Sequence, residues 1–71
     1  MFNYIKIRKK GTLNWKALRK NGKILVFDSV ENGRAYINNY EDYVCKIIPI
    51  ICHPTNRKSP IHGKPYEKIG W

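Results

Sequence analysis

Acidic residues are scarce: five Asp and Glu stand against 14 Lys and Arg in 71 residues, for a formal charge of +9. That excess favours phosphates, acidic protein surfaces or anionic lipid as partners. Cysteine is equally thin, and the pair Cys45 and Cys52 is too small for the disulfide framework of a secreted mini-protein, so thiols in a reducing compartment are expected. The longest apolar run, Ile47 to Cys52, contains Pro49 and falls far short of the roughly 20 residues that span a bilayer. The opening Met1-Phe2-Asn3-Tyr4-Ile5-Lys6 reaches charge before a signal-peptide core could form, which predicts a cytoplasmic protein and no membrane partner.

Catalytic and cofactor signatures are missing too. Gly11, Gly22, Gly33, Gly63 and Gly70 stand singly, and no Gly-Lys-Ser/Thr follows a strand, so no phosphate-cradling loop is expected. Asp28 and Glu31 suit a helix start, while Glu41, Asp42 and Glu67 suggest no acid–base pair. His53 and His62 lie only in the C-terminal stretch, far from any nucleophile with an oriented base. Cys45, Cys52, His53 and His62 lack the close ligand pairs of structural zinc sites, because Cys45 and Cys52 are widely spaced and Cys52-His53 adjoin. The sequence therefore predicts a binding protein, not an enzyme, with no catalytic residues, metal or other cofactor.

What is present predicts an α+β domain over residues 1–53, a three-stranded antiparallel sheet packed on one helix. Phe2 to Lys9 alternates as a strand, with Ile5 and Ile7 on one side and Tyr4, Lys6 and Arg8 on the other. Lys20-Asn21-Gly22-Lys23 between two strand-like stretches marks a hairpin. A three-residue loop sets Trp15 opposite Phe27, Ala17 opposite Leu25 and Leu18 opposite Ile24, and puts Trp15, Ala17, Leu25 and Phe27 toward a core. A two-residue loop scrambles that face, so the longer loop is expected, with the first strand completing a meander. Ser29 is a good N-cap, and Val30, Gly33, Tyr36, Ile37 and Tyr40 recur at helical spacing, predicting a helix over about Ser29 to Tyr40. Gly33 there implies a close helix-to-sheet approach. Tyr43 to Ile48 reads as a fourth strand, and Pro49, which removes a donor, marks either an edge position or the strand's end. Residues 54–71 carry three of the four prolines and no sustained period, and read as an extended or disordered basic tail.

Charge concentrates in the first forty residues, where nine Lys and Arg meet two acids. Lysines on an open sheet also serve simply to solvate it and guard its edges. Cations beside Tyr4, however, suit a nucleic-acid backbone, since the charges release phosphate counterions and an aromatic ring stacks on a base. Ribbons and sheets also fit the DNA major groove, making DNA a better expectation than RNA. The nucleic-acid-binding candidates are Lys6, Arg8, Lys16, Arg19 and Lys20.

The run Trp15-Lys16-Ala17, Asn21-Gly22-Lys23 and Phe27-Asp28-Ser29-Val30-Glu31-Asn32-Gly33-Arg34-Ala35-Tyr36 resembles the ethylene-response-factor (Apetala-type) DNA-binding domain and the arm-binding domains of phage integrases. The resemblance implies a three-stranded sheet lying in the major groove with a helix behind it. It implies base and phosphate contacts from Arg8, Lys16 and Arg19, with Trp15 in the core. Gly33 replaces the family's usual Ala, and the Tyr43 to Trp71 extension has no counterpart in that pattern.

A reading of another class is a phage-type protein-binding inhibitor or adaptor that docks on an acidic or nucleic-acid-binding site of a host protein. Tyr4, Leu18, Ile24, Val26 and Trp71 would then be its anchors, because aromatic and apolar side chains dominate interface energy. A third reading is self-assembly into a homo-oligomer through the edge near Tyr43 to Ile48.

Overall fold

The computed structural model describes residues 1–71, and all of them form one α+β body. Its strands are β1 (Asn3–Lys9), β2 (Lys16–Ala17), β3 (Arg19–Lys20), β4 (Lys23–Phe27), β5 (Tyr43–Pro49) and β6 (Tyr66–Ile69), and its helix is α1 (Val30–Ile37). β1 is the central strand. Along one edge it pairs with β5 over its whole length, antiparallel from Asn3↔Pro49 to Lys9↔Tyr43. Along the other edge its start pairs with β4, Asn3 with Phe27 and Tyr4 with Val26, and its later part with β2, Lys6 with Ala17 and Ile7 with Lys16.

That double use of one edge creates a wedge. β3 is antiparallel to β4, with Arg19↔Ile24 and Lys20↔Lys23, while β2 is antiparallel to β1 and β1 to β4. Lys16–Ala17 and Arg19–Lys20 must therefore run in opposite directions, and the chain turns back at Leu18. The Leu18 N–H donates to the Ile5 carbonyl at 2.8 Å, and the Leu18 carbonyl accepts from the Leu25 N–H at 3.2 Å. β1 and β4 thus pair at one end and splay at the other, with the V of residues 16–20 filling the gap. This corrects the simple meander. Trp15, Ala17 and Arg19 still alternate on the face away from the helix, with Leu18 on the other, but the chain changes partner at Leu18 from β1 to β4.

The hairpin loop is corrected for the same reason. Lys20 pairs with Lys23, leaving a two-residue Asn21-Gly22 turn with φ of +53° and +79°. Positive φ at both central residues is the twist-matched hairpin turn that Asn-Gly favours. The requirement of one clean apolar face, which argued for a longer loop, fails because both faces of β4 are buried, Ile24 and Val26 on one side and Leu25 and Phe27 on the other.

Two apolar clusters occupy the two faces of the sheet. On the helix side, Ile5, Ile7, Leu18, Leu25 and Phe27 are buried against Tyr36, Ile37, Tyr40 and Ile69. The helix begins where Ser29, in extended conformation, accepts a hydrogen bond from the Asn32 N–H at 3.2 Å. It ends at Ile37, earlier than the expected Tyr40, where two residues of low helix propensity, Asn38 and Asn39, follow and a turn forms, with Tyr40 N–H donating to the Ile37 carbonyl. Tyr40 still packs on the core. Gly33 is buried, and a Cβ placed there would come within 2.9 Å of Asn3 Oδ1, so helix and sheet do approach closely.

On the opposite face Tyr4, Ile24 and Val26 pack against Ile50 and Ile61. These last two come from the segment after β5, so the expected free tail is corrected: residues 54–71 belong to the domain. Successive turns carry the chain from His53 to Lys64. β6 then joins the outer edge of β4 in parallel, from Ile24↔Tyr66 to Phe27↔Ile69, and Trp71 Nε1 donates to the Val26 carbonyl at 2.9 Å. Burying one isoleucine contributes about 1.5–3 kcal/mol, so single residues such as Ile61 can hold a non-periodic segment in place. No helix is long and apolar enough to cross a membrane.

Candidate nucleic-acid interface

Residues opposite one another in a ladder point to the same face. The pairs Tyr4↔Ile48, Lys6↔Lys46 and Arg8↔Val44 therefore share the face away from the helix, together with Ala17 beside Lys6 and Arg19 beside Ile24. At the β4 end this face is covered by Ile50 and Ile61. Toward the splayed end it opens as a groove of about 460 Å³. The buried Tyr4, Ile24 and Ile61, with Ala17, form its floor, while Trp15 and Pro60 stand on its walls. Lys6, Lys16, Arg19 and Lys64 surround it, and none of its lining residues is acidic.

The acids lie elsewhere. Asp28 accepts from the Asn32 side chain at the helix start, and Glu31 is in the first helical turn. Glu41 and Asp42 connect the helix to β5. Glu67 sits opposite Leu25, on the helix-facing side of the sheet. Cations around the groove are thus separated from the carboxylates that could neutralise them.

Trp15 is 40% exposed, not in the core as the resemblance implies. The Arg8 guanidinium lies 5.2 Å and the Lys46 ammonium 5.5 Å from its ring centroid, within cation–π reach. Arg8 is further fixed by donating from Nη1 to the Thr12 carbonyl at 3.0 Å. Trp15 alternates with Ala17, which pairs with Lys6, so the register places it on the face away from the helix, beside Arg8 and Lys46.

Of the five expected nucleic-acid-binding residues, Lys6 and Arg19 share the groove's face, Lys16 also lines the groove although it stands opposite Ile7 in the ladder, and Arg8 borders it through Trp15. Lys20 does not join them: it pairs with Lys23, at the tip of the hairpin away from the groove. Sequence reasoning missed Lys46, which its place between apolar neighbours in β5 could have put on the face of Lys6, and Lys64, whose segment has no period to read. The alternative anchors are corrected as well. Tyr4, Leu18, Ile24 and Val26 are 7%, 4%, 1% and 0% exposed and build the two cores, so only Trp71, at 37%, offers a surface.

A larger depression of about 590 Å³ lies between the helix and the end of β6, lined by residues including Asn32, Asn39, Tyr36 and Tyr40. It holds no charged side chain and is a weaker candidate for a chain this basic. Burial there, and then the neighbouring Tyr36, pushes the Tyr40 phenol up from its ordinary pKa. Cys45 packs against the helix-side core, and burial raises its thiol pKa too, which makes it a poorer nucleophile and ligand. No three His, Cys, Asp or Glu side chains are grouped to hold a metal ion. Comparison with protein-family models, curated proteins and solved structures gave no match.

Proposed function

We propose that this protein binds nucleic acid through the Trp15 groove. The observation that carries the reading is the convergence of Lys6, Lys16, Arg19 and Lys64 on one apolar-floored groove with an exposed indole on its wall and no acid in its lining. Cations spaced around a concavity neutralise successive phosphates, and the release of their counterions drives association. The tryptophan adds a π-surface for a base or sugar. A surface serving only solubility needs neither convergence nor an aromatic wall.

Fluorescence anisotropy with labelled oligonucleotides across a salt series tests the proposal. If the four groove cations each meet a phosphate, the logarithm of the affinity falls with that of salt at a slope of roughly −3 to −4. Absence of binding to any single or double strand at low salt refutes it. Retention of a protein partner at about 0.5 M salt, where the screening length is only about 4–5 Å, would instead favour the adaptor reading.

A further inference from the structure

The shape of the groove narrows the class of nucleic acid, an inference that rests on the reading above. Reading a duplex from its major groove requires the protein to project a helix or ribbon into a channel about 12 Å wide. The cation-bearing face of this sheet does not project. Its β4 end is capped by Ile50 and Ile61, and the remainder is a groove lined by Trp15 and Arg19 from the wedge and by Pro60 and Lys64 from the folded-back segment. A concave face receives a ligand part instead of entering one. Its volume, about 460 Å³, lies toward the small end of the roughly 300–1,000 Å³ of small-molecule sites, a scale suited to a nucleotide and not to a paired helix.

The surfaces match an unpaired base as well. In a duplex the base faces are stacked on one another and closed to an indole, whereas a single strand can turn a base onto an aromatic platform while its phosphates follow a basic rim. Trp15, 40% exposed, provides the platform: Arg8 and Lys46 lie over its ring at 5.2 and 5.5 Å from the centroid, and a base would stack on the ring surface they leave open to solvent. Lys6, Lys16, Arg19 and Lys64 form the rim. We infer that the groove is a site for an unpaired polynucleotide strand, with one base stacked on Trp15.

The test compares a labelled 12-nucleotide DNA strand (~12 nucleotides lies within the site sizes of small single-strand binders), the RNA strand of the same sequence and the corresponding DNA duplex, by anisotropy in one buffer. At least one single strand is expected to bind about tenfold or more tighter than the duplex, with quenching of tryptophan emission. Trp15→Ala, checked for folding by circular dichroism, should abolish the quenching and weaken single-strand binding about 5- to 150-fold, the range for loss of one stacked base. Duplex binding equal to or tighter than both single strands overturns this inference and leaves the proposed function standing. Unchanged single-strand affinity in Trp15→Ala also overturns it. No binding by any of the three oligonucleotides refutes both.

Discussion

Gly33 of the helix and Asn3 of the central strand are in near contact: a Cβ on Gly33 would stand 2.9 Å from Asn3 Oδ1. Asn3 is 1% exposed, and that oxygen has no hydrogen-bond partner. Gly33→Ala should therefore reverse the usual sign of a helical glycine replacement. In an open helix the change stabilises by about 1 kcal/mol. Here the buried amide has little room to withdraw, and a net loss of about 1–2 kcal/mol is expected in urea denaturation. In an Asn3→Ala background the obstruction is gone, so the same replacement should be neutral or stabilising. Equal effects in both backgrounds would show that the two residues are not coupled.

The wedge makes Leu18 a structural apex. It is 4% exposed and joins the backbones of β1 and β4 through Ile5 and Leu25. Leu18→Ala should cost about 2–5 kcal/mol, like other large-to-small core changes. At the adjacent turn Asn21 has φ of +53°, a region that costs most L-residues about 1–2 kcal/mol. Asn21→Val should lose about that amount, while Asn21→Gly should change stability by only a few tenths of a kcal/mol. Equal melting temperatures for the Val and Gly variants would refute the two-residue turn.

Legibility followed local chemistry. Ser29 with its helical stripe, the alternation of Ile5 and Ile7 against Lys6 and Arg8, and the edge position of Tyr43 to Pro49 were readable because each depends on neighbours in sequence. The turn at Asn21-Gly22 was readable in place but not in length, because a single apolar face was expected, whereas both faces of β4 are buried. The one-residue shift of the shorter turn also hid Trp15, whose hydrophobicity pointed to the helix-side core while the register puts it on the other face. The covering role of Ile50 and Ile61 was illegible for another reason: two isolated isoleucines among turns have no period, and only the tertiary fold selects them. Lys6, Lys16 and Arg19 were found from charge, but their meeting with Lys64 depends on that same folded-back segment.

The folded-back segment predicts a contrast between neighbours. Ile50 is 1% exposed and Ile51 90% exposed, although they adjoin in sequence. Ile50→Ala and Ile61→Ala should each cost about 2–5 kcal/mol. Ile51→Ala should stay within about 0.5 kcal/mol of the parent. Thermal and urea melts would decide it, and a harmless Ile61→Ala would mean that this segment does not cover the sheet.

Alkaline stability should decline in two parts. Tyr40 is raised above its ordinary 10.0 by burial and then by Tyr36, and Cys45 is raised above 9.0 by burial. Both are acids whose neutral form the fold favours, so the folded state retains protons that the unfolded chain has released. Their stabilisation is whole below the ordinary values and is lost as pH rises from about 9 through the folded pKa values. Tyr40→Phe should remove the later part of the decline and Cys45→Ala the earlier part. Urea melts at intervals of pH measure this, and an undiminished decline in the double variant would assign it to other groups.

Cations on the two sides of the hairpin should differ in what they contribute to binding. Lys16 and Arg19 line the groove, whereas Lys20 and Lys23 pair at the hairpin tip and do not. All four lie within one short stretch and carry the same charge, so a purely diffuse attraction would weigh them alike. If phosphates sit in the groove, Lys16→Gln and Arg19→Gln should each reduce the salt slope by about one and weaken binding at low salt. Lys20→Gln and Lys23→Gln should change the slope less, because neither side chain lines the groove and each contributes only screened, non-contact attraction. Equal losses from all four would mean that the positive charge acts as a cloud around the protein and that the groove does not hold the strand.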